Sequence, residues 1–123
     1  GKEDSDICNS ITIEINNIIN TSGIFSLLQT AELIKRSSLL ISNDSAPIHI
    51  ATSMNTPVID IYGPTTPEIG FYPLSEKSIS IEIKDLNCRP CKIHGGNKCP
   101  VRTFDCMKNI LPEKVFRVAM EML

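Results

Sequence analysis

The chain has 123 residues, 41% hydrophobic and 21% charged, with a formal net charge of −2. This composition suits one globular domain with a single core and excludes a disordered tail. No apolar run approaches the roughly 18 residues of a membrane span, the opening residues do not read as a secretory leader, and neither aromatic interleaving nor a known module points to nucleic acid.

In chain order, Gly1-Lys2-Glu3-Asp4 reads as a loop entered from a preceding strand, and the chain starts with Gly rather than Met. A fragment of a longer, cytoplasmic protein is therefore expected. Asp4 or Ser5 can cap a helix carrying Ile7, Ile11 and Ile15, and Ile18-Ile19 reads as a short strand ending at Asn20-Thr21-Ser22-Gly23. Ser26 is the expected N-cap of a helix to about Arg36, with Leu27, Leu28, Ala31 and Ile34 on one face and Lys35-Arg36 near its negative end.

Leu39–Ser42 reads as a buried strand, 46–54 as a helix with Pro47 tolerated in its first turn, and Val58–Tyr62 as the next strand. The alternation is that of a Rossmann-like, parallel α/β sheet. Beyond it, Gly63-Pro64-Thr65-Thr66-Pro67 is a turn-rich loop and Ile79–Ile83 a last strand. Residues 85–111 form a cysteine-bearing loop, and Leu111-Pro112-Glu113 opens a helix with Val115, Phe116, Ala119 and Met122 as its apolar stripe.

Two strand-to-loop tips, Asn43-Asp44-Ser45-Ala46 and Gly63-Pro64-Thr65-Thr66, leave neighbouring strands at one sheet edge. Ligands of α/β sheets gather at that edge. Backbone N–H groups near Ser45, Ala46 and Ile48 at the start of the helix are expected to be unpaired, which makes an anion site; the Ser45 hydroxyl and His49, one turn on, can add hydrogen bonds. A diphosphate suits the arrangement, with Asp44 capping the helix or holding a sugar hydroxyl. Local spacing alone allows Asp44 and Ser45 equally as plain helix caps, makes His49 beside Ile48 and Ile50 more often a structural histidine, and allows the second tip as an ordinary turn. Asp60 reads as a strand-face carboxylate paired with a neighbour.

These segments, Asn43-Asp44-Ser45-Ala46-Pro47-Ile48-His49-Ile50-Ala51, Asn55-Thr56-Pro57-Val58 and Tyr62-Gly63-Pro64-Thr65, resemble the C-terminal half of glycosyltransferase family 9, the lipopolysaccharide heptosyltransferases. Phe71-Tyr72-Pro73, Cys88-Arg89-Pro90-Cys91, Cys99-Pro100, Cys106-Met107 and the last helix resemble a subset of that family, so the likeness covers essentially the whole chain. It implies a GT-B glycosyltransferase, with residues 1–123 as its nucleotide-sugar-binding C-terminal domain. Asp44, Ser45, Ala46 and His49 would line the donor's diphosphate and sugar, Thr65 would join them from the second tip, and Glu3 would contact the nucleoside. The family usually has Gly where this chain has Ala46, whose methyl would narrow the approach to the phosphates.

The implied reaction is inverting transfer of heptose from ADP-heptose to the lipopolysaccharide inner core, with no metal required. The acceptor site and base would lie in an N-terminal domain, so these residues alone should bind donor weakly and turn nothing over. Nine of the twelve basic residues fall between Lys77 and Arg117. This asymmetry fits either an anionic partner, such as peripheral contact with the inner membrane, or a plain solvated surface.

Cys88-x2-Cys91-x7-Cys99-x6-Cys106 offers four thiolates for a structural zinc, although the second pair is too widely spaced for a zinc ribbon. Reduced thiols with packing roles are the other reading, and Cys8 is expected in the core. Two further functions stay open: another Rossmann-type nucleotide-binding enzyme, or a zinc-stapled interaction module. No P-loop or G-x-G-x-x-G occurs.

Overall fold

The computed structural model describes residues 2–69, 72–96 and 98–123. It divides into two compact units, residues 1–33 and 34–123. Phe71, one of the residues carrying the family resemblance, lies outside the described residues.

In the first unit a 3-10 turn, Lys2–Asp4, leads into helix α1, Ser5–Glu14. The expected strand at Ile18-Ile19 does not form; both residues are in irregular chain and Ile19 is 84% exposed. A two-residue apolar run needs a neighbouring strand to become one, and asparagines flank this pair. Instead, Asn20 hydrogen-bonds Asn9 Oδ1 at 2.7 Å and accepts the Ser22 N–H at 2.9 Å.

Helix α2, Leu27–Lys35, starts as the sequence indicates. The Ser26 hydroxyl accepts the Gln29 N–H at 3.4 Å, and Gln29 Oε1 accepts the Ser26 N–H at 2.9 Å, a reciprocal capping box. Ile34 is buried and Thr30 and Ala31 are half-buried, whereas Leu27 and Leu28, expected on that face, are largely exposed.

The second unit is built on a three-stranded parallel sheet in the order β1 (Leu40–Asn43), β2 (Val58–Ile61), β3 (Ser78–Ile81). Helix α3, Ala46–Ser53, crosses from β1 to β2. Asn55, in the left-handed region at φ 58, ends that crossover. The described part of the β2–β3 connection holds only a 3-10 turn, Pro67–Ile69. Strand β3 stops at Ile81, short of the expected Ile83.

Side chains alternate across the strands and so feed two cores. Val58 on one face packs with Ile34, Ile48 and Ala51, while Ile59 and Ile81 on the other pack with Ala119 of the last helix. A short helix α4, Asp105–Lys108, lies inside what reads as loop in the sequence, and α5, Pro112–Met122, closes the chain. Val115, Val118, Ala119 and Met122 face the core, but Phe116 is 66% exposed, so the buried stripe takes Val118 in its place. Among the described residues, no helix is long and apolar enough to cross a membrane.

Candidate functional site

The carboxyl ends of β1 and β2 open into a cleft of about 550 Å³. Asn43, Asp44, Ser45, Ala46 and His49 line it from the first tip, and Gly63, Pro64 and Thr65 from the second. The two tips that the sequence places at one sheet edge therefore share one cavity. Parallel register produces this: Asn43 pairs with Ile61, so both strands end level and both loops leave on the same side.

At the first tip Ser45 takes the N-cap position of α3 in extended conformation, φ −164 and ψ 173, with no side-chain cap bond. Its hydroxyl donates to the Asn43 carbonyl at 2.9 Å and lies 3.3 Å from Ser42 Oγ. The Ile48 N–H is not unpaired as the sequence suggested; it donates to the Ser45 carbonyl at 3.1 Å. The positive end of α3 still faces the cleft through Ala46, which lines it, and exposed His49 stands one turn on.

Asp44 does not cap the helix. Its Oδ2 accepts a 2.6 Å hydrogen bond from the buried Thr65 hydroxyl, tying the two tips together. Glu3 falls in the first unit, exposed in the turn Lys2–Asp4.

Behind the second tip the cysteine loop fits closely. A Cβ on Gly63 would collide with Met107 Sδ, and one on Gly95, at φ +69, would stand 2.9 Å from Pro64 Cγ. Arg89, whose side chain is 4% exposed, donates to the carbonyls of Gly63 at 2.5 Å and Thr65 at 2.6 Å, and to Glu82 Oε2 at 3.2 Å. Sequence reasoning missed Arg89, Met107, Ile93 and His94 as parts of the site; the last three line the cleft from the cysteine loop and α4. The only signal for Arg89 was its place between two cysteines.

Beneath the cleft, Asp60 on β2 is fully buried, and neither of its oxygens nor the Tyr62 hydroxyl meets a hydrogen-bond partner among the described residues. The neighbour of Asp60 along that strand face is Tyr62, whose hydroxyl favours the charged carboxylate although it falls short of hydrogen-bond geometry. Burial pushes its carboxyl up to about 6, with the nearby Tyr62 hydroxyl pulling the other way and Asp44 adding to the rise. Burial, then Asp60, pushes the Tyr62 phenol well above its ordinary range.

All five cysteines are free. Cys91, Cys99 and Cys106 border a small cavity of about 130 Å³, yet among the described residues no three Cys, His, Asp or Glu side chains are grouped to hold a metal ion. Local packing contacts are what the structure gives these thiols. Cys91 Sγ donates to the Cys88 carbonyl at 3.3 Å and Cys99 Sγ accepts the Phe104 N–H at 3.4 Å, while Cys106 is buried. Cys8 is half-buried in α1 rather than fully in a core.

The family model for glycosyltransferase family 9, heptosyltransferase, matches residues 1–99. The chain belongs to that family. It is 33% identical over 122 residues to lipooligosaccharide heptosyltransferase 2 of Campylobacter jejuni serotype O:6, covering 94% of this chain and 36% of that protein. The lipooligosaccharide heptosyltransferase 2 of Haemophilus influenzae is 37% identical over 80 residues, 65% of this chain and 22% of that one. A crystal structure of a family 9 glycosyltransferase from Veillonella parvula superposes with a TM-score of 0.78 at 26% identity, covering 99% of this chain and 34% of the other. The chain thus spans about a third or less of the length of these relatives, and its parallel sheet with flanking helices matches part of a family 9, GT-B structure.

Proposed function

We propose that residues 1–123 form the nucleotide-sugar-binding C-terminal domain of a two-domain heptosyltransferase. Its donor is an ADP-heptose-like nucleotide sugar and its acceptor the lipopolysaccharide inner core, reached through a partner domain that also carries the general base of an inverting transfer. The observation that carries this reading is the single cleft in which the N-terminus of α3, His49 and the Asp44–Thr65 hydrogen bond meet. A helix N-terminus attracts a diphosphate, an imidazole one turn on can donate to a phosphate oxygen, and a carboxylate is suited to sugar hydroxyls. The names of the curated relatives support the same chemistry.

Asp44 faces the cleft with a negative charge, so it belongs against the sugar rather than the phosphates, where it would repel. The basic residues between Lys77 and Arg117 suit a cytoplasmic enzyme held peripherally at the inner membrane.

Calorimetric titration of ADP tests the proposal. The whole enzyme should bind ADP, and His49→Ala should weaken binding about tenfold through loss of a charge-assisted hydrogen bond. Unaltered affinity in the variant would remove His49 from the site; no binding by the wild type would remove the site.

A further inference from the structure

Among the described residues that line the cleft there is no lysine or arginine, and Asp44 contributes negative charge. An anionic ligand there depends on backbone dipoles, the histidines and whatever positive charge stands behind the walls. Carbonyl oxygens turned toward the ligand would oppose it.

The second tip avoids that. Its three consecutive carbonyls are all occupied: Gly63 by Arg89 Nε at 2.5 Å, Pro64 by the Cys91 N–H at 2.9 Å, and Thr65 by an Arg89 terminal nitrogen at 2.6 Å. Neither Arg89 nor Cys91 lines the cleft, so these bonds are made on the loop's far side. The guanidinium is anchored in turn by Glu82 at 3.2 Å and the Ile83 carbonyl at 2.5 Å, just beyond β3. With four acceptors at a side chain only 4% exposed, its orientation is fixed.

We propose that Arg89 is a positioning residue for donor recognition: it turns the Gly63–Thr65 carbonyls away from the cleft and sets the Thr65 hydroxyl on Asp44. This rests on the reading of the cleft as the donor pocket. Arg89 touches no substrate. A guanidinium is required because one planar group must serve the carbonyls on either side of Pro64 together with Glu82. A lysine ammonium has its donors on a single nitrogen and cannot span them.

The test uses the whole enzyme, measuring ADP affinity by calorimetry and, with ADP-heptose, the KM for donor and for acceptor. Arg89→Lys should weaken ADP binding and raise donor KM at least tenfold, with acceptor KM within about twofold of wild type. Millimolar guanidinium added to Arg89→Ala should restore part of the donor affinity, and to the wild type should add nothing. Unchanged ADP affinity in folded Arg89→Lys overturns the inference, as does an equal rise in both KM values. Should neither Arg89 variant fold, Glu82→Gln decides: weaker donor binding by severalfold supports the clamp, and wild-type binding overturns it. Failure of the wild type to bind ADP would instead fall on the donor-pocket reading, so the two failures are distinguishable.

Discussion

The Thr65 hydroxyl donates to Asp44 Oδ2 across 2.6 Å, joining loops that leave two adjacent parallel strands. Thr65 is 7% exposed and Asp44 half-buried, so the bond sits where water competes poorly and the carboxylate's orientation depends on it. Thr65→Val keeps the shape and removes the donor. It should cost about 1–3 kcal/mol of stability, the range for an acceptor left unpaired away from water, and lower affinity for the nucleotide sugar severalfold. Thr65→Ser should stay close to wild type. Thermal melts and donor titration of the two variants check this.

Ala46 is the first residue of α3 and lines the cleft. Ala46→Gly should tighten ADP binding severalfold, because backbone and phosphate can approach more closely. The cost in stability should not exceed about 1 kcal/mol, the usual penalty of glycine in a helix. Weaker binding in Ala46→Gly would show that the methyl does not obstruct the ligand.

Buried Asp60 gives stability a specific pH dependence. Its carboxyl is raised from 3.8 to about 6 in the folded protein, so the folded state holds that proton more tightly than the unfolded chain does. Its contribution is therefore unaffected below about pH 4, falls as pH rises through 6, and is fully unfavourable above, by about 2–3 kcal/mol. Asp60→Asn removes the titration. Denaturant melts between pH 4 and 8 should show the stability difference, variant minus wild type, growing through that window and then levelling; a pH-independent difference would contradict the assignment.

The cysteines should react unequally. The Phe104 N–H on Cys99 Sγ holds that thiol below its ordinary range, while burial pushes the Cys106 thiol up. At pH 7.5, iodoacetamide should modify Cys99 about tenfold or more faster than Cys106, read by peptide mass spectrometry. Comparable rates would refute the difference in thiolate character.

What the sequence reveals follows the range of the forces involved. Strands β1 and β2, helix α3 and both cleft tips were legible because strand, turn and helix follow one another within about 25 residues, and each has a local pattern or breaker. The Ser26 cap was legible because its partner, Gln29, is three residues away. Arg89 was not: its contacts with Gly63 and Thr65 lie 26 and 24 residues back, and a buried arginine has no periodicity to betray it. Phe116 misled because large apolar side chains at helical spacing read as core, although tertiary packing gives that place to Val118. Alternation puts Asp60 on a strand face, but only the assembled sheet shows that both its oxygens are buried there without hydrogen-bond geometry to any described residue.

On the proposed function, the cleft between the start of α3 and the Gly63–Thr66 loop holds the donor's diphosphate. A crystal structure of the whole enzyme with ADP tests it most directly. Phosphate oxygens are expected at the N-terminus of α3, with His49 within hydrogen-bond distance of one of them and the Thr65–Asp44 bond intact. Well-ordered ADP bound elsewhere on the protein, with this cleft containing only water, would contradict it.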